Sequence, residues 1–139
     1  MQDKQFFVCV DGVYIKSGKI LLLKRSVEPF KGFWHLVGGH VKDNESLREA
    51  LKREFKEETT LDVKVGGIMD GRIEKTSDRI KIIVAFEVIS AQGKVRLNSE
   101  NEEFGWFDEI PCDSVYNYAK YLPNKSSDPN TTIDKKSLS

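Results

Sequence analysis

The chain has 139 residues, and its 22 Lys and Arg are balanced by 22 Asp and Glu. That length suits one domain with a core of its own, and a net charge of zero removes the global field expected of a protein that binds nucleic acid or an anionic membrane. Cys9 and Cys112 have no metal-ligand spacing, so a reduced, cytoplasmic chain is the simplest reading, with a disulfide between them left open.

Met1-Gln2-Asp3-Lys4 lacks the basic and apolar regions of a signal peptide, and no apolar run approaches the length of a membrane span. Residues 5–15 are rich in Phe, Val and Ile and read as a strand. Lys16-Ser17-Gly18-Lys19 is a turn. Ile20-Leu21-Leu22-Leu23 is a continuous apolar run, as in a strand buried on both faces. A loop with Pro29 leads to a third strand over residues 32–37, which runs into Gly38-Gly39. Ser46 followed by Glu49 has the spacing of a capping box and predicts a helix over 47–58. Strands are predicted over 62–73, either continuous or interrupted at Gly66-Gly67, over 79–90, and over 104–107. Residues 98–103 read as an acidic loop and residues 108–122 as a second helix. From Pro123 the sequence is almost wholly polar, which divides the chain into a domain over 1–122 and a polar tail over 123–139. Strands with two helices among them make an α+β domain with a mixed sheet.

The helix over 47–58 carries an anomaly. At roughly 100° per residue, Leu47, Ala50, Leu51 and Phe55 make an inward stripe. Glu54 and Glu58 lie on that stripe, with Glu57 at its edge and no basic residue on the arc. Carboxylates near a buried face need a partner, because an unpaired buried charge is costly. A hard divalent cation with oxygen ligands is one such partner. Glu45 and Arg53 lie off the cluster and read as an ion pair that positions the helix.

This stretch resembles the Nudix box. Gly39, Glu45, Arg53, Glu54, Glu57, Glu58 and Leu61 fall at that pattern's spacings, and Trp34-His35-Leu36-Val37-Gly38-Gly39 is similar to the family's upstream Trp-x-Leu-Pro-Gly-Gly. Phe55 stands for the usual aliphatic, Val37 for Pro, and Thr60 for the final Gly. The resemblance implies an α/β/α sandwich and a hydrolase that splits a nucleoside diphosphate from another linked group. It implies Mg²⁺, with Mn²⁺ as the alternative, held by Glu54, Glu57, Glu58 and the Gly39 carbonyl. A carboxylate then takes a proton from the attacking water, and Glu54, Glu57 and Glu100 are the candidates. Glu100 reads equally as a solvated loop charge. Arg25 is a candidate phosphate ligand or a surface charge. Trp34, with Phe33 and Phe30, offers a stacking face for a base or packs in the core.

The partner implied is a small nucleotide-type molecule, taken up by a monomer or a homodimer with no nucleic acid and no membrane. The rival reading is a Nudix-fold binding or sensor protein without catalysis. A basic RNA-binding module lacks its basic, aromatic-interleaved surface. Family members acting on ADP-ribose often carry a Pro about sixteen residues past the box, and those acting on diadenosine polyphosphates a Tyr. Here no Pro lies between Pro29 and Pro111 and no Tyr between Tyr14 and Tyr116. At Thr60 a helix end commonly needs positive φ, which a β-branched residue adopts poorly. The expectation is therefore a different helix ending, with Thr60 at negative φ.

Overall fold

The computed structural model describes residues 3–123. Its elements in order are β1 (Gln5–Lys16), β2 (Lys19–Arg25), β3 (Trp34–His35), β4 (Val37–His40), α1 (Leu47–Thr59), β5 (Asp62–Lys75), β6 (Arg79–Gln92) and β7 (Asn101–Phe107). A short 3-10 helix follows at Tyr118–Tyr121. The sheet order is β3-β2-β1-β6-β5, with β4 paired to β1 and β7 to β2. β1 runs parallel to β6, and the other pairings are antiparallel. The protein is therefore α+β with a mixed sheet, as its residue pattern predicts.

Alternation along the strands divides the core in two. Leu21 and Leu23 join Val10, Phe86, Leu51 and Phe55 beneath α1. Ile20 and Leu22 point the other way and join Val13, Leu36, Tyr118 and Leu122. This is why the run Ile20–Leu23 has no polar break: all four side chains are buried.

The observed elements differ from the pattern reading at several places. The third strand is split into β3 and β4 at Leu36, and β7 begins at Asn101, inside the stretch expected to be loop. Of the two alternatives at Gly66-Gly67, β5 takes the continuous one. It absorbs the two residues as irregular register between Lys64 and Asp70. The helix expected over 108–122 does not form; only the 3-10 turn lies there. Its backbone is committed elsewhere, since Trp34 N–H donates to Asp113 O at 3.0 Å and Val115 N–H donates to Trp34 O at 2.8 Å. The expected polar tail lies outside the described residues, apart from Pro123.

Thr60 does not keep the negative φ expected of it. It caps α1 with φ 63° and ψ 8°, in the left-handed region. Tertiary bonds hold it there: Thr60 Oγ1 donates to Lys94 O at 2.7 Å, and Arg96 N–H donates to Thr59 O at 2.9 Å. Contacts from the segment after β6 thus enforce a conformation that Thr does not favour.

Candidate active site

The entry to α1 is fixed locally. Ser46 Oγ accepts from Glu49 N–H at 3.1 Å, and Glu49 Oε1 accepts from Ser46 N–H at 2.8 Å, which is the reciprocal capping box. With the start fixed and Leu51 and Phe55 buried, the rotation of the helix is set. Glu54 and Glu58 then lie on the side facing β4, and Glu57 lies further out with half its side chain exposed.

Arg53 organises this region. Its Nε bonds Glu45 Oε2 at 2.5 Å, and its Nη2 bonds Glu45 Oε1 and His40 O, both at 3.0 Å. Its Nη1 bonds Glu54 Oε2 at 3.1 Å and Glu57 Oε1 at 3.2 Å. The ion pair with Glu45 is present as expected, and it also reaches two of the box carboxylates. The hydrogen bonds from Arg53, with one from Lys42 N–H, pull the Glu45 carboxyl down to about 2.

Glu58 differs. It is 5% exposed, and its Oε1 has no hydrogen-bond partner among the described residues. Burial, and then the adjoining Glu54 carboxyl, push its pKa well above the ordinary carboxylate value. Gly39 lies against the same group, since a Cβ there would run into the Glu54 carboxylate.

These residues line a cavity of about 590 Å³ together with Arg25, Phe30, His35, Glu100, Asp11 and Arg72. Glu100 is brought in by its backbone: Ser26 N–H donates to Glu100 O at 2.9 Å, and Asn98 Oδ1 accepts from Glu100 N–H at 3.2 Å. His35 ties the same loop down, with its ring nitrogens 2.7 Å from Leu36 O and 2.7 Å from Asn101 Oδ1, and burial lowers its pKa. Arg25 also faces the cavity, with its Nε donating to Pro29 O at 2.6 Å. Trp34 does not line the cavity. It is buried against Phe107, ring centroids 4.8 Å apart, so it is a core residue with no face for a base. The exposed aromatic at the cavity is Phe30.

Asp11 and Arg72 escaped the sequence reading. Asp11 interrupts an apolar strand on its buried face, and burial pushes it up to about 7 against the opposing effect of Arg72. A charged residue at an inward position of a strand was the available signal. It carried no motif.

The donor set fits a hard divalent cation, because it offers carboxylate oxygens and a close backbone, with one buried oxygen unpartnered. Among the described residues no three His, Cys, Asp or Glu side chains are already gathered as a finished metal centre. Arg53 holds both Glu54 and Glu57. A cation would compete with that guanidinium for the same oxygens.

Comparison with known proteins agrees with this geometry. Residues 7–127 match the family model described as NUDIX domain. An ADP-ribose pyrophosphatase of Methanocaldococcus jannaschii is 37% identical over 110 residues, 75% of this chain and 64% of that protein's length. A CTP pyrophosphohydrolase of Escherichia coli K12 is 32% identical over 98 residues, 70% of this chain and 72% of the relative. Among solved structures, the E. coli ORF135 protein has a TM-score of 0.67 at 28% identity, covering 74% of each chain. The Burkholderia pseudomallei MutT NUDIX hydrolase has a TM-score of 0.75 at 24% identity, covering 81% of this chain and 92% of its own, and shows the fold alone. A box helix that turns its carboxylates toward a glycine strand, and a family match over nearly the whole described chain, lead to one conclusion: the chain belongs to the Nudix family.

Proposed function

We propose that the protein hydrolyses a pyrophosphate bond in a nucleoside diphosphate linked to another group, with a divalent cation, Mg²⁺ or Mn²⁺. The observation that carries this reading is the buried, unpartnered Glu58 Oε1 beside Glu54, at the wall of the cavity. A carboxylate left in that state is costly unless a cation joins it. Glu54, Glu57, Glu58 and the Gly39 carbonyl would hold the ion. When bound, it neutralises phosphate charge and makes an attacking water more acidic.

The chain's own residues supply the rest. Arg53 keeps Glu45, Glu54 and Glu57 in place, and its donors are filled by them and by His40 O, so it does not serve as a phosphate ligand. Arg25 has donors left over and faces the cavity, which suits a phosphate oxygen. Glu100 has its backbone pinned and its side chain at the cavity, and it is a candidate proton acceptor with Glu54 and Glu57. The relatives' printed names, ADP-ribose pyrophosphatase and CTP pyrophosphohydrolase, both describe a cut at a phosphoric anhydride next to a nucleoside.

The test is a panel of nucleoside triphosphates and nucleotide sugars with Mg²⁺, run with and without chelator. Cleavage of at least one member, abolished by chelation, is expected. Glu58→Gln should lower that turnover by roughly 100-fold, the usual scale for removing a group that stabilises developing charge. Its metal-free thermal midpoint should not fall, because an amide is cheaper to bury than an unpaired carboxylate. Near-wild-type turnover in Glu58→Gln would refute the ligand assignment, and binding without cleavage across the panel would favour a sensor.

A further inference from the structure

Glu100 reaches the cavity on a loop that is held in two ways. Ser26 takes the loop's carbonyls: Ser26 N–H donates to Glu100 O at 2.9 Å, and Ser26 Oγ donates to Ser99 O at 2.6 Å. The amide of Glu100 is held separately, by side chains that run from His35 through Asn101 to Asn98. The proposed chemistry uses Glu100 and gives none of these three residues a part.

His35 sits on β3, paired with Leu23 of β2, and it lines the cavity. Its Nδ1 lies 2.7 Å from Leu36 O, and its Nε2 lies 2.7 Å from Asn101 Oδ1. Asn101, at the start of β7, is only 5% exposed, and its Nδ2 donates to Asn98 Oδ1 at 3.2 Å. Asn98 Oδ1 also accepts from Glu100 N–H at 3.2 Å. Both oxygens beside the ring can only accept, and a neutral imidazole has one N–H to give. Given to Leu36 O, that proton leaves a bare Nε2 facing Asn101 Oδ1. Given to Asn101, it leaves a bare Nδ1 facing Leu36 O. Turning the Asn101 amide over relieves the first case but sets its oxygen against Asn98 Oδ1. Turning Asn98 as well leaves Glu100 N–H without its acceptor. An imidazolium donates at both ends, and every link then has one donor and one acceptor.

We propose that His35 is a positioning residue for Glu100, acting through Asn101 and Asn98, and that this relay is complete only when the ring carries both protons. Complete, it fixes the Glu100 backbone and with it the place of the carboxylate. With one proton lost, a contact opens and the loop rests chiefly on Ser26. The proposal rests on the reading of Glu100 as a proton acceptor and adds what aims it. Burial is the largest influence on the ring and lowers its pKa from the ordinary 6.5. Arg25 on β2 acts in the same direction, while the bonds to Asn101 and Leu36 and the charge of Glu100 act against it. Into the same cavity α1 presents Glu54 and Glu58, β1 presents Asp11, and the segment after β7 presents Tyr118. The relay therefore completes on acidification and opens as pH rises through the ring's titration.

The first measurement needs no turnover. The Glu100 amide and the His35 ring are followed by NMR in the metal-free full chain, from about pH 4 to about pH 8. The amide should titrate with the midpoint of the ring. That titration should vanish in His35→Gln, whose side-chain amide can donate to Asn101 at every pH. The second measurement uses the nucleotide panel above with Mg²⁺. His35→Ala should lower kcat roughly 10- to 100-fold, the scale of a misplaced reacting group, with KM within about threefold. The same substitution in a Glu100→Gln protein should change kcat by less than about twofold, because no carboxylate is left to aim. His35→Gln should keep most of the turnover, and the ratio of wild-type to His35→Gln kcat should fall as pH rises through the ring's titration.

A Glu100 amide that ignores the His35 titration, or keeps it in His35→Gln, overturns the proposal. Equal losses from His35→Ala in both backgrounds would make the ring's role purely structural and overturn it while leaving the hydrolase reading intact. A flat ratio of wild-type to His35→Gln kcat does the same. Should His35→Ala fail to fold, the wild-type amide titration and that ratio decide the matter. No cleavage of any panel member by the wild type overturns the hydrolase reading and the part given to Glu100 together.

Discussion

Thr60 shows how a single residue can depart from its own preference when its neighbours outvote it. A non-glycine residue in the left-handed region costs about 1–2 kcal/mol. Thr60 keeps its position through the bond from its Oγ1 to Lys94 O and the Arg96–Thr59 backbone bond beside it. Thr60→Gly removes the conformational cost. It also loses a hydrogen bond worth about 0.5–1.5 kcal/mol and adds unfolded-state entropy. We therefore expect its denaturant midpoint to stay within about 1 kcal/mol of wild type. Thr60→Asn tolerates the left-handed region and keeps a side-chain donor, so it should be the most stable of the three. A Thr60→Asn midpoint below wild type would show that the methyl group, not the hydroxyl, matters at this cap.

At the scale of elements, the β4–α1 junction sets the site, and its two glycines have different work. A Cβ on Gly38 would collide with the backbone Val10 O across the β1–β4 ladder, which cannot move aside. A Cβ on Gly39 would meet the end of the Glu54 side chain, which can. Gly38→Ala should therefore destabilise the fold by about 1–3 kcal/mol, the usual cost of overpacking. Gly39→Ala should fold nearly normally but bind Mg²⁺ more weakly, read by calorimetry. The same outcome for both variants would contradict this division.

The Glu45–Arg53 pair gives this junction an acid sensitivity. The Glu45 carboxyl is lowered to about 2 in the folded protein from an ordinary 4.5. A depressed carboxyl stabilises the fold fully above its unfolded pKa and loses that contribution as pH falls toward the folded one. Wild type should thus lose stability relative to Glu45→Gln between about pH 4.5 and pH 2. Thermal midpoints of the two proteins across that range should converge on acidification, and parallel curves would show that the pair contributes nothing.

Over the whole molecule, the segment after β7 closes the second core and walls the cavity without forming the helix its pattern suggested. It is clasped to β5 at Asp70, whose Oδ2 accepts from Tyr121 OH at 2.8 Å and from Lys120 Nζ at 2.6 Å. Tyr116 sits over Arg72 in the same stretch, and Tyr118 lines the cavity. Tyr121→Phe removes one of the two clasps and should cost about 1 kcal/mol. Amide exchange over residues 114–121 should rise more than exchange in α1. Uniform exchange changes would mean that the segment is not separately anchored.

What the sequence determined by itself was whatever depends on local periodicity. The helix start follows from Ser46 and Glu49, which bond each other within one turn. The inward carboxylates follow from the helical repeat, and the doubly buried β2 follows from four apolar residues in a row. These interactions span a few residues, so spacing is enough to reveal them. The tertiary structure decided everything that depends on partners distant in the chain. Segment 108–122 gave its backbone to Trp34, so it could not close a helix. Trp34 found Phe107 and became core. Thr60 was held left-handed by residues more than thirty positions later. Arg72 and Asp11, unremarkable in sequence, met in the cavity only because β1 and β5 flank β6. No periodic signal encodes such meetings, since burial and pairing across strands are settled only when the whole sheet assembles.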